Sequence, residues 1–119
     1  MRAEFAPLTR ELAEEFYGSA PPFSLRGFAV TVDAALVGLF GVYYERPTTI
    51  VAFSDFTSPD ILAPRDRVRA GKHWLQFIRD RALPVIAYAK SPRDRGFLEH
   101  FGFEFITTTE YGDVMTWGP

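Results

Sequence analysis

The sequence predicts an α+β fold with α/β/α layering: a single domain over residues 1–119, built on a mixed central sheet of about six to seven strands flanked by helices. Three observations carry this. From Arg26 to Thr57 the apolar period is two, or the apolar run is continuous, and Val, Phe, Tyr and Thr dominate, which is the pattern of strands. From about Arg65 to Ala82 the period lengthens to that of a helix, and Pro84 forbids its continuation. From Val85 to Phe105 a short apolar run, a capped helical segment and a second apolar run follow one another without a linker. The order is strand, helix, three strands, helix, strand, helix, two strands.

Arg2 to Ala6 suits a short first strand. Thr9 is a fitting N-cap for the helix that follows, with Glu11 in its first turn, Leu12, Ala13 and Phe16 on one stripe and Gly18 as its end. Ser19 to Ser24, with Pro21 and Pro22, reads as a loop. Phe28, Val30 and Val32 lead to a tight turn at Asp33 and Ala34, Leu36 to Tyr44 is a second meander strand, Arg46 and Pro47 turn the chain, and Thr49 to Phe56 is a third. The middle strand is apolar on both faces, so helices should cover the sheet. Ser58, Pro59 and Pro64 bracket a loop before the main helix, whose apolar stripe is Val68, Gly71, Leu75, Ile78 and Ala82, widened by Trp74 and Phe77. Val85 to Ala89 is a buried strand. Ser91 caps the next helix, Pro92 suits its first position, Phe97, Leu98 and Phe101 share a face, and Gly102 supplies the left-handed stop. Glu104 to Thr109 and Asp113 to Trp117 are the last strands.

Composition narrows the function. Hydrophobic residues make up 47% and aromatics 16%, with 12 Phe, so the core is dense and aromatic and the chain is not a disordered one. Lys and Arg total 13 against 15 Asp and Glu, a net charge of -2 that gives no sign of nucleic acid as a partner. There is no Cys for disulfides or thiolate metal sites. No stretch reads as a signal peptide or a membrane span, so the expected location is the cytoplasm of a bacterial host, with no membrane partner. Walker, G-x-G-x-x-G, H-E-x-x-H and G-x-S-x-G patterns are absent.

The closing phrase FLEHFGFEF, Phe97 to Phe105, resembles the C-terminal signature of the GCN5-related N-acetyltransferases (GNAT), and the element order is also theirs. The resemblance implies a coenzyme A site. In that family the loop after the central strand carries Arg/Gln-x-x-Gly-x-Gly/Ala at a helix start, where orphan amides and the helix dipole favour an anion. The matching segment here is Arg65 to Trp74, with Gly71 on the last small position, Arg69 in place of the first glycine and Asp66 in place of Arg or Gln. The resemblance thus implies Arg67, Arg69, Ala70, Gly71 and Lys72 at the pyrophosphate. It implies the backbone of Phe53, Ser54, Asp55 and Phe56 along the pantetheine arm of acetyl-CoA or another acyl-CoA, with Ser91 as a further cofactor contact. The cations of this segment read equally as an ordinary solvated helix face.

The resemblance also implies acid–base groups. Leu98 stands where the family often has a Tyr that protonates the leaving thiolate. Asp55, on the third meander strand, is the candidate to accept the amine proton, and Tyr88 is the candidate acid. Each also has an ordinary reading, as a polar strand end and as a tyrosine with its ring buried and its hydroxyl satisfied. Tyr43 and Tyr44 stand alike, and His73 and His100 read as surface residues. Two functions follow. One is a diverged acyl-CoA-dependent N-acetyltransferase acting on a small-molecule or peptide amine. The alternative is a non-catalytic internal virion or assembly protein, because Pro64 to Phe105, about a third of the chain, is similar to small GNAT-like proteins of tailed phages. In the second reading Tyr43, Tyr44 and Phe56 face a protein partner or a second copy.

Overall fold

Strands and helices fall where the local signals put them. The computed structural model describes residues 3–22, 24–46, 49–58, 60–80 and 84–117. Its elements are β1 (Glu4–Pro7), α1 (Arg10–Tyr17), β2 (Leu25–Val32), β3 (Ala35–Arg46), β4 (Thr49–Phe56), α2 (Pro64–Arg79), β5 (Val85–Ala89), α3 (Pro92–His100), β6 (Glu104–Thr109) and β7 (Gly112–Trp117). Arg2, Pro47, Pro59 and Ala82, which figure in the sequence reading, lie outside the described residues.

The caps explain the boundaries. Thr9 Oγ1 accepts the Leu12 N–H at 3.1 Å, and the Gly18 N–H closes α1 on the Glu14 carbonyl at 2.8 Å. Ser91 Oγ accepts the Asp94 N–H at 3.1 Å. At the other end of α3, Gly102 sits at φ 96°, its N–H donates to the Glu99 carbonyl, and the Phe103 N–H donates to the Leu98 carbonyl. This double closure needs a left-handed residue that glycine adopts without strain, so the Phe-Gly-Phe phrase is a helix stop with its two aromatics folded into the core. Asp33 and Ala34 both take positive φ, 53° and 66°, as a two-residue hairpin between twisted strands requires.

The sheet has seven strands in the order β1-β2-β3-β4-β5-β7-β6, and every neighbouring pair is antiparallel except β4 with β5. α2 packs on β2 and β3, and α3 on β5 and β7, over one face; α1 packs on β3 over the other. The core on the α2 and α3 face joins Phe28, Phe40, Val42, Ile50, Ala52, Trp74, Ile78, Val85, Leu98, Phe103 and Met115. On the α1 face Ala13, Ala29, Leu39 and Val51 are buried, so the central strand is covered on both sides as its apolar pattern requires. Among the described residues no helix is long and apolar enough to cross a membrane.

Candidate active site

The functional geometry begins where the parallel pair stops. β4 and β5 are in register at Ile50–Val85, Val51–Ile86 and Ala52–Ala87 and no further. Beyond those three pairs β4 stays with β3, from Gly41–Phe53 to Gly38–Phe56, while β5 stays with β7, at Tyr88–Val114 and Ala89–Asp113. The two strands therefore part, and a cleft of about 470 Å³ opens between them. A strand paired on one side only turns alternate N–H and C=O groups into the gap, and Phe53, Ser54 and Asp55 line it.

Side-chain alternation gives the cleft two different walls. Trp74, Phe97 and Leu98 form an apolar wall on the α2 and α3 side. Trp74 is fully buried there, stacks near Phe97 and Phe103 at 6.3 and 6.0 Å, and donates its indole N–H to the Gly41 carbonyl at 3.0 Å. On the α1 side stand Tyr17, Tyr43, Tyr88 and Asp55. The Tyr17 hydroxyl donates to Asp55 Oδ2 at 2.6 Å, joining the end of α1 to β4. Burial, then this hydrogen bond and the carboxylate's charge, push the Tyr17 hydroxyl well above its ordinary value. Burial, then the nearby Glu45, raise that of Tyr43.

Of the residues singled out from sequence, Asp55 and Tyr88 are brought to one cleft, with Phe53 and Ser54 beside them. Phe56 is turned away: its ring packs edge-on against Phe40 at 5.3 Å and lies over Gly38. Tyr43, Tyr44 and Phe56 do not make one surface, because Tyr43 lines the cleft, Tyr44 is exposed and Phe56 packs inward. Tyr17 had no local signal, since its partner is 38 residues away.

The segment Arg67 to Lys72 is placed differently from the expectation. None of Arg67, Arg69, Ala70, Gly71 and Lys72 lines the cleft. α2 already begins at Pro64, with the Arg67 N–H bonded to the Ala63 carbonyl at 3.0 Å, so the amides of 67–72 are engaged inside the helix. Arg69 reaches the other way, donating to Asp66 at 2.7 Å and to the Ala3 carbonyl at 3.0 Å with its guanidinium over Phe5, at the sheet edge formed by β1. Ala70 is buried, and a Cβ on Gly71 would stand 2.2 Å from Phe101, so this glycine lets α2 and α3 approach. Ser91 spends its hydroxyl on capping α3. Arg67 remains in the first turn of α2, close enough to Asp60 to influence its charge. Among the described residues no group of three or more His, Cys, Asp or Glu is placed to hold a metal.

No protein-family model matches this sequence, and no curated protein matches it by sequence. Solved structures do match in shape. A mutant of spermidine N-acetyltransferase SpeG from Vibrio cholerae is 12% identical, with 97% of this chain and 91% of that one aligned at a TM-score of 0.67. The same enzyme in complex with CoA and spermine is 13% identical, over 97% and 93%, at 0.62. Aminoglycoside acetyltransferase AAC(6')-Ib in complex with coenzyme A is 13% identical, over 97% and 94%, at 0.63. The chain has the fold of the GNAT N-acetyltransferases, as its element order and closing phrase implied.

Proposed function

We propose that the protein is an acyl-CoA-dependent N-acyltransferase, with acetyl-CoA as the expected donor. The observation that carries this is the parting of β4 and β5, which opens a cleft with an unpaired strand edge on its rim and a carboxylate on its far wall. The donor fits the residues present. An extended arm with amides adds to the edge at Phe53, Ser54 and Asp55 as a further strand would, and Trp74, Phe97 and Leu98 supply the apolar wall. The Arg65 and Asp66 amides, which precede the first intrahelical bond of α2, suit the pyrophosphate together with the Arg67 side chain. When bound, the thioester supplies an acyl group activated for transfer to nitrogen.

The chain's own groups then divide the proton work. Asp55 attracts the acceptor in its ammonium form and takes one proton from it, freeing the lone pair that forms the N–C bond, and the second proton that nitrogen then loses replaces the one Tyr88 gives to sulfur. Tyr17, donating to Oδ2, fixes the orientation of that carboxylate. Tyr88, on the opposite lip, holds the proton that the sulfur needs when the C–S bond breaks, a task closed to Leu98. The reading implies a cytoplasmic location, where acyl-CoA is made. No observation favours the virion alternative: the solved structures named above are N-acetyltransferases.

Calorimetry with acetyl-CoA and a transfer assay test this reading. The wild-type chain should bind acetyl-CoA. Asp55→Asn and Tyr88→Phe should each lower kcat by about a hundredfold while leaving acetyl-CoA affinity near that of the wild type. Silence at millimolar acetyl-CoA would overturn the proposal.

A further inference from the structure

The α1 side of the cleft has a chemistry of its own. Its walls are mainly rings and apolar side chains, Tyr17, Tyr43, Tyr88 and Phe53 with Pro22 and Leu25, and Ser19 adds a neutral hydroxyl. Tyr43 and Phe53 lie 6.1 Å apart, and Tyr111, 66% exposed, stands edge-on to Tyr88 at 6.4 Å as a rim. Among the described residues that line the cleft, the charged ones are Asp55, Lys90 and Asp94. Lys90 and Asp94 belong to the start of α3, where the Lys90 N–H donates to Asp94 Oδ2 at 3.2 Å. The tyrosine side therefore holds one charge, that of Asp55. Tyr17 and Tyr43, raised by burial, add neutral ring faces rather than anions. Glu45, near Tyr43, is exposed and outside the lining.

Resting on the transferase reading, we propose that the acceptor is an amine with a single cationic nitrogen on an aromatic or otherwise flat apolar body, and not a polyamine. One ammonium is satisfied by one carboxylate, and tyrosine faces around it add cation–π attraction. A second ammonium would have to lie against Pro22, Leu25 and Val51, losing water with no counter-charge in return. Volume points the same way: the 470 Å³ cleft also houses the acyl end of the donor, so the space left suits a body of about one ring.

The test compares 2-phenylethylamine, its neutral analogue 2-phenylethanol, and spermidine. Each is titrated onto the whole chain by calorimetry without donor, then offered with acetyl-CoA. 2-Phenylethylamine should bind at least about tenfold tighter than either of the others, and Asp55→Asn should erase its advantage over the alcohol. Ala20→Glu, an exposed lining position, should move the preference toward spermidine, a gain that misfolding cannot produce. Spermidine bound as well as or better than 2-phenylethylamine, an unchanged amine-to-alcohol ratio in Asp55→Asn, or no binding of either amine overturns the proposal. If 2-phenylethylamine binds and acetyl-CoA does not, the transferase reading falls and the amine chamber stands. If acetyl-CoA is used with spermidine in preference, the chamber falls and the transferase reading stands.

Discussion

The starts of α2 and α3 are finished in opposite ways. Both helices follow the carboxyl ends of the parallel strands β4 and β5, the end of an α/β sheet where ligands collect. At α3 the protein closes its own helix: Ser91 Oγ takes the Asp94 N–H, and Asp94 Oδ2 takes the Lys90 N–H, so two amides are satisfied reciprocally. At α2 the N-cap is Ala63, which has no side-chain bond to give, and Pro64 brings no N–H. The first turn of α2 thus has no side-chain cap, and it carries Arg65, Arg67 and the buried Asp66, whose carboxylate is taken by Arg69. The finished start of α3 lines the cleft through Lys90 and Asp94, whereas the uncapped start of α2 lies outside the cleft lining and contributes Trp74 from further along the helix.

The strongest way to break this comparison is to finish α2. Ala63 is exposed and already has the extended backbone of an N-cap, φ -60° and ψ 151°, so Ala63→Asp should accept an N–H of the first turn. The expected result has two signs at once: about 1 kcal/mol of added stability in a denaturant melt, and acetyl-CoA affinity lower by at least about tenfold as the new carboxylate takes the amides and repels phosphate. Unchanged affinity would show that phosphate does not use this helix start. The converse substitution, Ser91→Ala, should cost about 1 kcal/mol of stability and leave acetyl-CoA affinity where it was. A loss of affinity there would return Ser91 to the cofactor site and erase the contrast.

What could be read in advance follows the same division. Thr9, Gly18, Ser91 and Gly102 announce helix ends within three or four residues, so their roles were legible, and the alternating strands gave the element order. Gly71 was ambiguous in principle, because a missing Cβ admits a phosphate or a neighbouring ring equally well, and only Phe101, thirty positions on, decides for the ring. The placement of cofactor amides at 67–72 overlooked a local sign: Pro64, a residue suited to a first helical position, already put those amides inside the helix. The family resemblance implies Arg69 at the pyrophosphate, whereas its side chain donates to Asp66, one turn back, and to the backbone of Ala3 at the far sheet edge. Asp55, from a strand position that the family resemblance implies, and Tyr88, offered as a substitute acid, both line the cleft. Tyr17 was not legible, since nothing near the end of α1 signals a carboxylate on β4.

The smallest effect concerns the bridge between the two helix starts. Asp60, ahead of α2, pairs with Arg93 in the first turn of α3, and the hydrogen bond and charge of Arg93 hold the Asp60 carboxyl below its ordinary range. Both side chains are exposed, so the pair contributes little to stability, and salt weakens it further. It does keep Arg93 occupied beside the open end of α2. Asp60→Asn should free that cation and raise acetyl-CoA affinity by a factor of about two to five with no measurable change in the melting midpoint. The sign with pH follows from the lowered carboxyl. Whatever the bridge contributes is present above the ordinary carboxylate range and is lost as pH falls through the lowered value, so the wild type should approach the variant's affinity only in that acid range. An affinity that falls in Asp60→Asn would mean that Asp60 positions Arg93 for the phosphate instead of withholding it, and the α3 start would then join α2 in serving the ligand.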